Sequence, residues 1–349
     1  MKIAIINFTK KGNNVSLRLK KFLKMQNETV TIDTKCSELR EKTTLSLREW
    51  TEEKFHSMDA LIYVGAVGIA VRAIAPYITK KTEDPAVLVV DEMARYCIPL
   101  LSGHIGGANA LAKNLCAGLD CGMIPVITTA TDLNYKWAVD VFAKKNNLAI
   151  SDMKKAKEIS ARILAGEKIR IYLEEGGAIS GELPEELEIT RALEDADIYI
   201  GVKSLEGNIL RLIPKCLILG LGCKKKTPYE KIEEVVSRTL ATMRICREAL
   251  AEVASIDLKA EEEGILKFCE KEKLEYQTYS SEQLKKVPGN YQPSAFVKSI
   301  TGVDNVCERS AVCAEWNRTG KVPLMLVKKT ASEGVTVAVA MREWSVSFE

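Results

Sequence analysis

Histidine is scarce in this chain, with only His56 and His104 among 349 residues. Cysteine is not scarce, at ten, yet no Cys-x-x-Cys pair occurs and neither histidine stands at zinc-finger spacing from a cysteine pair. A local zinc-ligand set is therefore excluded, and no protein metal site is expected. No apolar run is long enough to span a bilayer, which excludes a membrane helix. The opening Met1-Lys2-Ile3-Ala4-Ile5-Ile6-Asn7 turns polar too early for a signal peptide. A cytoplasmic protein whose cysteines are mostly reduced core thiols is the expectation. The net charge of +3 lacks the concentrated basic footprint of a general nucleic-acid binder. The full Gly-x-Gly-x-x-Gly spacing, the Walker lysine and the Gly-x-Ser-x-Gly elbow are all missing. A dinucleotide fingerprint, a phosphate-binding P-loop and a nucleophile elbow are thereby excluded.

Two glycine-bearing loops are present instead. Gly65-Ala66-Val67-Gly68-Ile69-Ala70-Val71-Arg72 follows the apolar run 60–64, and Ser102-Gly103-His104-Ile105-Gly106-Gly107-Ala108-Asn109 follows 97–101. Glycines there let a ligand approach the backbone, and the helix N-termini they open present unpaired N–H groups to anions. Around them the pattern alternates as in α/β proteins. Strands are expected at 2–8, 60–64, 86–90, 97–101 and 123–129. A turn is expected at 12–14, with helices at 15–25, 68–77 and 108–119. The aliphatic run 86–90 suits a strand buried on both faces. Together these point to a doubly wound, mostly parallel sheet over 1–130, with both loops at the carboxyl ends of its strands. Arg72 reads either as a surface ion pair or as a guanidinium clamp for carboxylate. His104, set between glycines, reads as a general acid or base, or as an imidazole satisfied within its loop. Asp91 and Glu92 follow a strand directly, so they either approach the same cleft or cap a loop.

A smaller, variable α/β middle domain is expected over 131–214, with an acidic surface run at 182–188. A third unit, 215–349, opens on a buried strand at 216–222 followed by Lys224-Lys225-Lys226-Thr227-Pro228. Thr227 is placed to cap the next helix, with Pro228 in its first turn and Glu230 at the capping-box position. That helix is expected to reach about Glu248. The lysine run reads as a solvated face or as an anion-binding loop. Glu308-Arg309 reads as a helix-surface pair or an interdomain salt bridge. A β pair is expected across Glu333-Gly334, and no internal repeat is found.

Seven blocks taken together resemble the CbiG family of cobalamin biosynthesis proteins, the cobalt-precorrin-5A hydrolases of the anaerobic route. Two are the glycine loops 65–72 and 102–109. The others are Gly220-Leu221-Gly222-Cys223-Lys224-Lys225, Ser255-Ile256-Asp257-Leu258-Lys259, Thr301-Gly302-Val303, Val306-Cys307-Glu308-Arg309-Ser310-Ala311 and Gly334-Val335-Thr336-Val337-Ala338. The likeness covers nearly the whole chain, and 215–349 alone is similar to the CobE proteins of the aerobic route.

The resemblance implies a reaction that opens a δ-lactone on a ring-contracted cobalt tetrapyrrole and expels acetaldehyde, giving cobalt-precorrin-5B. Water must attack an acyl carbonyl, so a base and an oxyanion stabiliser are required. His104 is the expected base, with Asp91 or Glu92 as orienter or second acid–base group, and backbone N–H groups near Gly103, Gly106 and Gly107 as oxyanion donors. Arg72, Lys224, Lys225 and Arg309 are expected to clamp the substrate's carboxylates. Gly65, Gly68, Ser102, Asn109 and Glu308 complete the expected contact set. No cofactor is expected, because cobalt enters bound within the substrate. Neither nucleic acid nor membrane is an expected partner; a homodimer or transient contact with other cobalamin pathway enzymes is. The alternative reading is a non-catalytic corrinoid-binding scaffold for an unstable intermediate.

Overall fold

The structure is a computed structural model that describes residues 1–39, 42–80, 83–103, 106–119, 121–133 and 136–349. The chain divides into two compact units, Met1–Val141 and Phe142–Glu349.

The first unit runs β1 (Lys2–Asn7), α1 (Lys10–Met25), β2 (Thr29–Thr34), α2 (Leu47–Ser57), β3 (Ala60–Val64), α3 (Val67–Ile74), β4 (Ala86–Val90), β5 (Tyr96–Leu101), α4 (Ala108–Gly118), β6 (Ile124–Pro125), α5 (Ala130–Leu133) and the start of α6 (Val139–Lys145). Its sheet has the order β2-β1-β3-β4-β5-β6. Strand alternation distributes the core to both faces. Ile3, Ile5, Ile62, Val64 and Leu88 pack against Val15, Leu19 and Leu23 of α1 and Leu111 and Leu115 of α4. Ala4, Ile6, Leu61, Tyr63, Val87 and Val89 pack against Trp50 and Phe55 of α2 and Ala70, Ala73 and Ile74 of α3. The double winding expected from the sequence is what forms.

Three local expectations change. Residues 12–14 lie inside α1, which starts at Lys10 because the Thr9 hydroxyl accepts from the Gly12 amide at 2.9 Å and caps the helix. The strand expected over 123–129 shrinks to Ile124–Pro125, since proline removes a ladder donor. Most consequentially, β5 pairs antiparallel to β4, with Val87 opposite Leu101 and Val90 opposite Cys97.

The second unit continues with β7 (Leu148–Ile150), α7 (Met153–Leu164), β8 (Ile169–Leu173), β9 (Gly177–Ser180), β10 (Leu187–Ile189), β11 (Ile198–Ile200) and β12 (Leu210–Pro214). It then forms β13 (Leu217–Cys223), α8 (Tyr229–Thr242), β14 (Leu250–Ile256), α9 (Glu263–Glu272), β15 (Glu275–Tyr279), α10 (Ser281–Lys286), α11 (Ala295–Thr301), α12 (Cys307–Thr319), β16 (Leu324–Ser332), β17 (Val335–Met341) and β18 (Trp344–Ser347). One sheet has the order β10-β8-β11-β12-β7 and another β15-β14-β13-β17-β16. In the latter β13, β14 and β15 run parallel and β17 antiparallel. Helix α8 stops at Thr242, short of the expected Glu248. Arg244 adopts a left-handed φ of 51°, and the Ile245 amide turns back to the Leu240 carbonyl, burying Ile245 and Cys246.

Strand β18 returns to pair with β9, so the C-terminal residues are stitched into the middle of the chain. Asn146 locks this return, donating to the Ser347 carbonyl at 3.0 Å and accepting from its amide at 2.6 Å, while Phe142 stacks on Phe348 at 4.6 Å. Replacing Asn146 by alanine orphans both groups and is expected to lower stability by about 1–2 kcal/mol. Amide exchange should quicken in 344–347 and leave β1–β4 unchanged; equal protection of β18 in the variant would contradict this.

Candidate functional site

The carboxyl ends of β1, β3 and β4 meet at one end of the N-terminal sheet. The Gly65 amide donates to the Val90 carbonyl at 2.9 Å, drawing the β3–α3 turn against β4. Helix α3 starts after Ala66 without a side-chain cap. Arg72 is exposed, and its guanidinium turns back to donate to the Gly68 carbonyl at 3.1 Å. No carboxylate pairs with it among the described residues, so it is available to an outside anion. Glu92 accepts from the Thr9 hydroxyl at 2.8 Å, tying the β4 exit to the α1 cap. Asp91 accepts from the amides of Met93, Arg95 and Tyr96 at 2.9, 2.9 and 2.6 Å. Its carboxylate builds the tight β4–β5 turn, the loop-cap alternative of the sequence reading.

The second glycine loop is elsewhere. Because β5 runs against β4, Ser102 emerges beside the start of β4, and its hydroxyl donates to the Asp84 carbonyl at 2.9 Å. From Asp84 to Asp91 the extended chain covers roughly 20 Å. The expectation that both loops share the carboxyl ends of the strands is corrected: the hairpin sends Ser102, Gly103 and the start of α4 to the opposite end from Asp91 and Glu92. His104 lies outside the described residues.

The described part of that loop is tightly built. Ser102 holds a left-handed φ of 55°, a costly conformation for a residue with a side chain. Its carbonyl and that of Gly103 accept from the amides of Ala108 and Asn109 at 3.2 and 2.9 Å, which closes the loop onto the first turn of α4. Gly107, at φ 88°, is the α4 N-cap. A Cβ on Gly106 would stand 2.1 Å from the Ser102 Cβ. Asn109, only 5% exposed, donates through Nδ2 to the Thr129 hydroxyl at 2.9 Å. With the Ala108 and Asn109 amides engaged, those of Gly106 and Gly107 have no acceptor among the described residues. Sequence reasoning missed Thr129 and Asp84. Asp84 is buried and accepts from the Thr79 amide and hydroxyl at 3.1 and 2.9 Å. A threonine pair after an apolar run was the only local sign of Thr129; nothing local marked Asp84.

In the C-terminal sheet, β13 ends in the exposed loop Lys224–Lys226, pinned by the Lys224 amide on the Gly334 carbonyl at 3.0 Å. Thr227 does not cap α8: its hydroxyl donates to the Lys224 carbonyl at 2.8 Å, and the cap position falls to Pro228. Threonine closes the lysine loop instead. Helix α12 lies close over β13, where a Cβ on Gly220 would stand 1.8 Å from the Cys307 carbonyl oxygen.

Glu308 and Arg309, expected at the substrate, are engaged within the protein. Glu308 is 2% exposed and accepts from the Gln292 amide at 3.0 Å, Asn305 Nδ2 at 2.7 Å and the Lys329 amide at 2.6 Å. The Glu308 amide in turn donates to Asn305 Oδ1 at 2.9 Å. Arg309 donates to Asp304 at 2.9 Å and to the Leu284 carbonyl at 3.1 Å, with its guanidinium over the Tyr291 ring. Burial raises the Asp304 carboxyl, but the Arg309 hydrogen bond and charge outweigh it and hold it below its ordinary range. Of the expected clamps, Arg72, Lys224 and Lys225 are exposed and pair with no carboxylate among the described residues. Seven cysteines are buried and three half-buried, all as free thiols. Among the described residues no group of three His, Cys, Asp or Glu side chains is placed to hold a metal ion, and no helix is long and apolar enough to cross a membrane.

Comparison with known proteins covers these same segments. The family profile described as Cobalamin synthesis G N-terminal matches residues 49–132, Cobalamin biosynthesis central region matches 137–211, and Cobalamin synthesis G C-terminus matches 217–340. A relative from Salmonella typhimurium named cobalt-precorrin-5A hydrolase is 34% identical over 269 residues, covering 73% of this chain and 75% of its own. One of the same name from Priestia megaterium is 32% identical over 314 residues, 85% of this chain and 82% of its own. Protein CobE of a Sinorhizobium species is 31% identical over 125 residues, 36% of this chain and 79% of its own.

Proposed function

The chain belongs to the CbiG family of cobalamin biosynthesis proteins, and from that premise we propose that it is a cobalt-precorrin-5A hydrolase. The observation that carries this reading is the 32–34% identity, over most of the chain, to two relatives of that name. The substrate is a cobalt tetrapyrrole bearing a δ-lactone and many carboxylates. Hydrolysis adds water across the lactone acyl bond, giving a carboxylate and freeing the ring-side alcohol. Loss of that alcohol's proton then breaks the adjacent carbon–carbon bond. Acetaldehyde leaves, and the electron pair stays on the ring carbon, which takes up a proton.

Such a sequence needs a base, an oxyanion site and exclusion of competing protons. We assign these to the 102–109 loop, on its strained Ser102, its close-packed Gly103 and Gly106, and the Gly106 and Gly107 amides, which have no acceptor among the described residues. His104 is the base we propose there. Asp91 and Glu92 keep a role at the other end of the sheet only. Within the first unit Arg72 is a proposed carboxylate contact, with Gly65 and Gly68 giving a ligand access to α3; within the second, Lys224 and Lys225 are proposed carboxylate contacts. The cobalt is part of the substrate, and the setting we propose is cytoplasmic.

Purified protein incubated anaerobically with cobalt-precorrin-5A should release one acetaldehyde per corrinoid, read by a coupled alcohol dehydrogenase, with the matching mass loss in the product. Corrinoid binding without acetaldehyde would replace the hydrolase by a scaffold that holds the intermediate.

A further inference from the structure

Three of the most exposed large apolar side chains of the second unit are Phe296 (70%), Leu258 (61%) and Ile300 (60%). Their placement is not scattered. Phe296 and Ile300 are four residues apart on α11 and so share one face. Val297 faces the other way, into a cluster with Ile256, Val303 and Val306. Leu258 follows directly on β14, two residues beyond Ile256. A Cβ on Gly222, near the end of β13, would touch Val306 at 4.0 Å. The end of α11 is reached again from α10: a Cβ on Gly302 would lie 3.8 Å from both the Ser281 hydroxyl and Lys285 Nζ. Leu258, just past β14, and α11, which packs Val297 on the cluster that holds Ile256, both stand near the end of β14.

The lysine loop leaves β13 at this same end. Lys224, Lys225, Lys226 and Lys285 form no ion pair among the described residues, while the charge of Lys298 acts on Asp304. Three local acids are engaged: Glu262 with Lys259 at 2.9 Å, Asp304 with Arg309 at 2.9 Å, and Glu333 with Arg238 at 3.8 Å. Asp257, Glu261, Glu263 and Glu282 are exposed and have no ion-pair partner among the described residues. An apolar shelf bordered by unpaired ammonium groups is complementary to a flat apolar ligand with anionic substituents on its rim.

We propose that this sheet end binds the tetrapyrrole macrocycle, its ring against Phe296, Ile300 and Leu258 and its peripheral carboxylates against Lys224, Lys225 and Lys285. The identity of the ligand rests on the function proposed above; the surface rests on the exposure and charge just described. It adds to the lysines a hydrophobic platform that the sequence motifs did not reveal.

The test uses the full chain and cobyrinic acid, a stable polycarboxylate corrinoid, with its neutral heptamethyl ester as control. Binding is read by quenching of tryptophan fluorescence. Wild type should bind the acid in a salt-dependent way and the ester at least tenfold more weakly. Phe296→Ser with Ile300→Ser should weaken binding of the acid by about tenfold or more, with melting temperature and circular dichroism unchanged. Lys224→Gln with Lys225→Gln should weaken it and flatten the salt dependence. Leu258→Ser supplies an independent probe should α11 fray. Wild-type affinity in all three variants overturns the proposal. If wild type nevertheless releases acetaldehyde and the variants keep its KM, the surface is wrong and the hydrolase reading stands. If wild type neither binds nor turns over a cobalt corrinoid, the hydrolase reading fails as well.

Discussion

Replacing Glu308 by leucine is expected to lower the stability of the second unit by about 3–6 kcal/mol, a large part of what holds a domain together. The carboxylate gathers three donors from three separate places: the Gln292 amide before α11, the Asn305 side chain before α12 and the Lys329 amide within β16. Leucine fills a similar volume but leaves three N–H groups without their acceptor, that of Asn305 buried and those of Gln292 and Lys329 part-buried, at up to roughly 1–3 kcal/mol each. The negative charge also sits in the first turn of α12, where the helix dipole favours it and leucine forfeits that contribution. Glu308→Gln retains one acceptor oxygen and should fall between the two. Urea unfolding measures the series; a leucine variant as stable as wild type would return Glu308 to the substrate-contact set. With the architectural role, the glutamine variant under native conditions should bind corrinoid within a few-fold of wild type.

Glu308 illustrates what a sequence does not display. Its motif marks a special residue, but its donors come from 16 residues upstream and 21 downstream, and no local rule brings them together. The central strands were legible because β1, β3 and β4 are continuous aliphatic runs buried on both faces. Edge strand β2, Thr-Val-Thr-Ile-Asp-Thr, was missed because four of its six residues are polar. Strand β14 was missed because it begins just beyond the end of a helical pattern that the sequence did not visibly close. The direction of β5 was hidden for another reason. A strand has the same period whichever way it runs, and only the Asp91 turn, three amides closing on one carboxylate, reverses the chain. That one turn moved half of the candidate site to the other end of the sheet. The glycine motifs themselves were readable, because each glycine answers a local demand for close approach. Asp84 and Thr129, which complete the 102–109 end, belong to distant segments and carry ordinary side chains.

Those two ends make opposed claims on the reaction, and Gly106→Ala decides between them. The added methyl would stand 2.1 Å from the Ser102 Cβ and 2.6 Å from the Ser102 carbonyl oxygen, so it cannot be accommodated in place. Ser102 must leave its left-handed conformation or the loop must move outward, and either shift displaces the Gly106 and Gly107 amides by about 1 Å. A displacement of that size at an oxyanion site is expected to lower kcat by about a hundredfold or more. The stability loss should be only about 1–3 kcal/mol, because the methyl enters a loop and not the sheet. Glu92→Gln is the counterpart at the other end. It keeps an acceptor for the Thr9 hydroxyl, and turnover should stay within a few-fold of wild type. Acetaldehyde release from cobalt-precorrin-5A, measured beside thermal unfolding of both variants, separates lost chemistry from lost fold. Full turnover in Gly106→Ala with collapse in Glu92→Gln would move the chemistry to the carboxyl ends of β1, β3 and β4. The opposite pattern keeps it at the 102–109 loop, where the backward-running strand β5 has carried it.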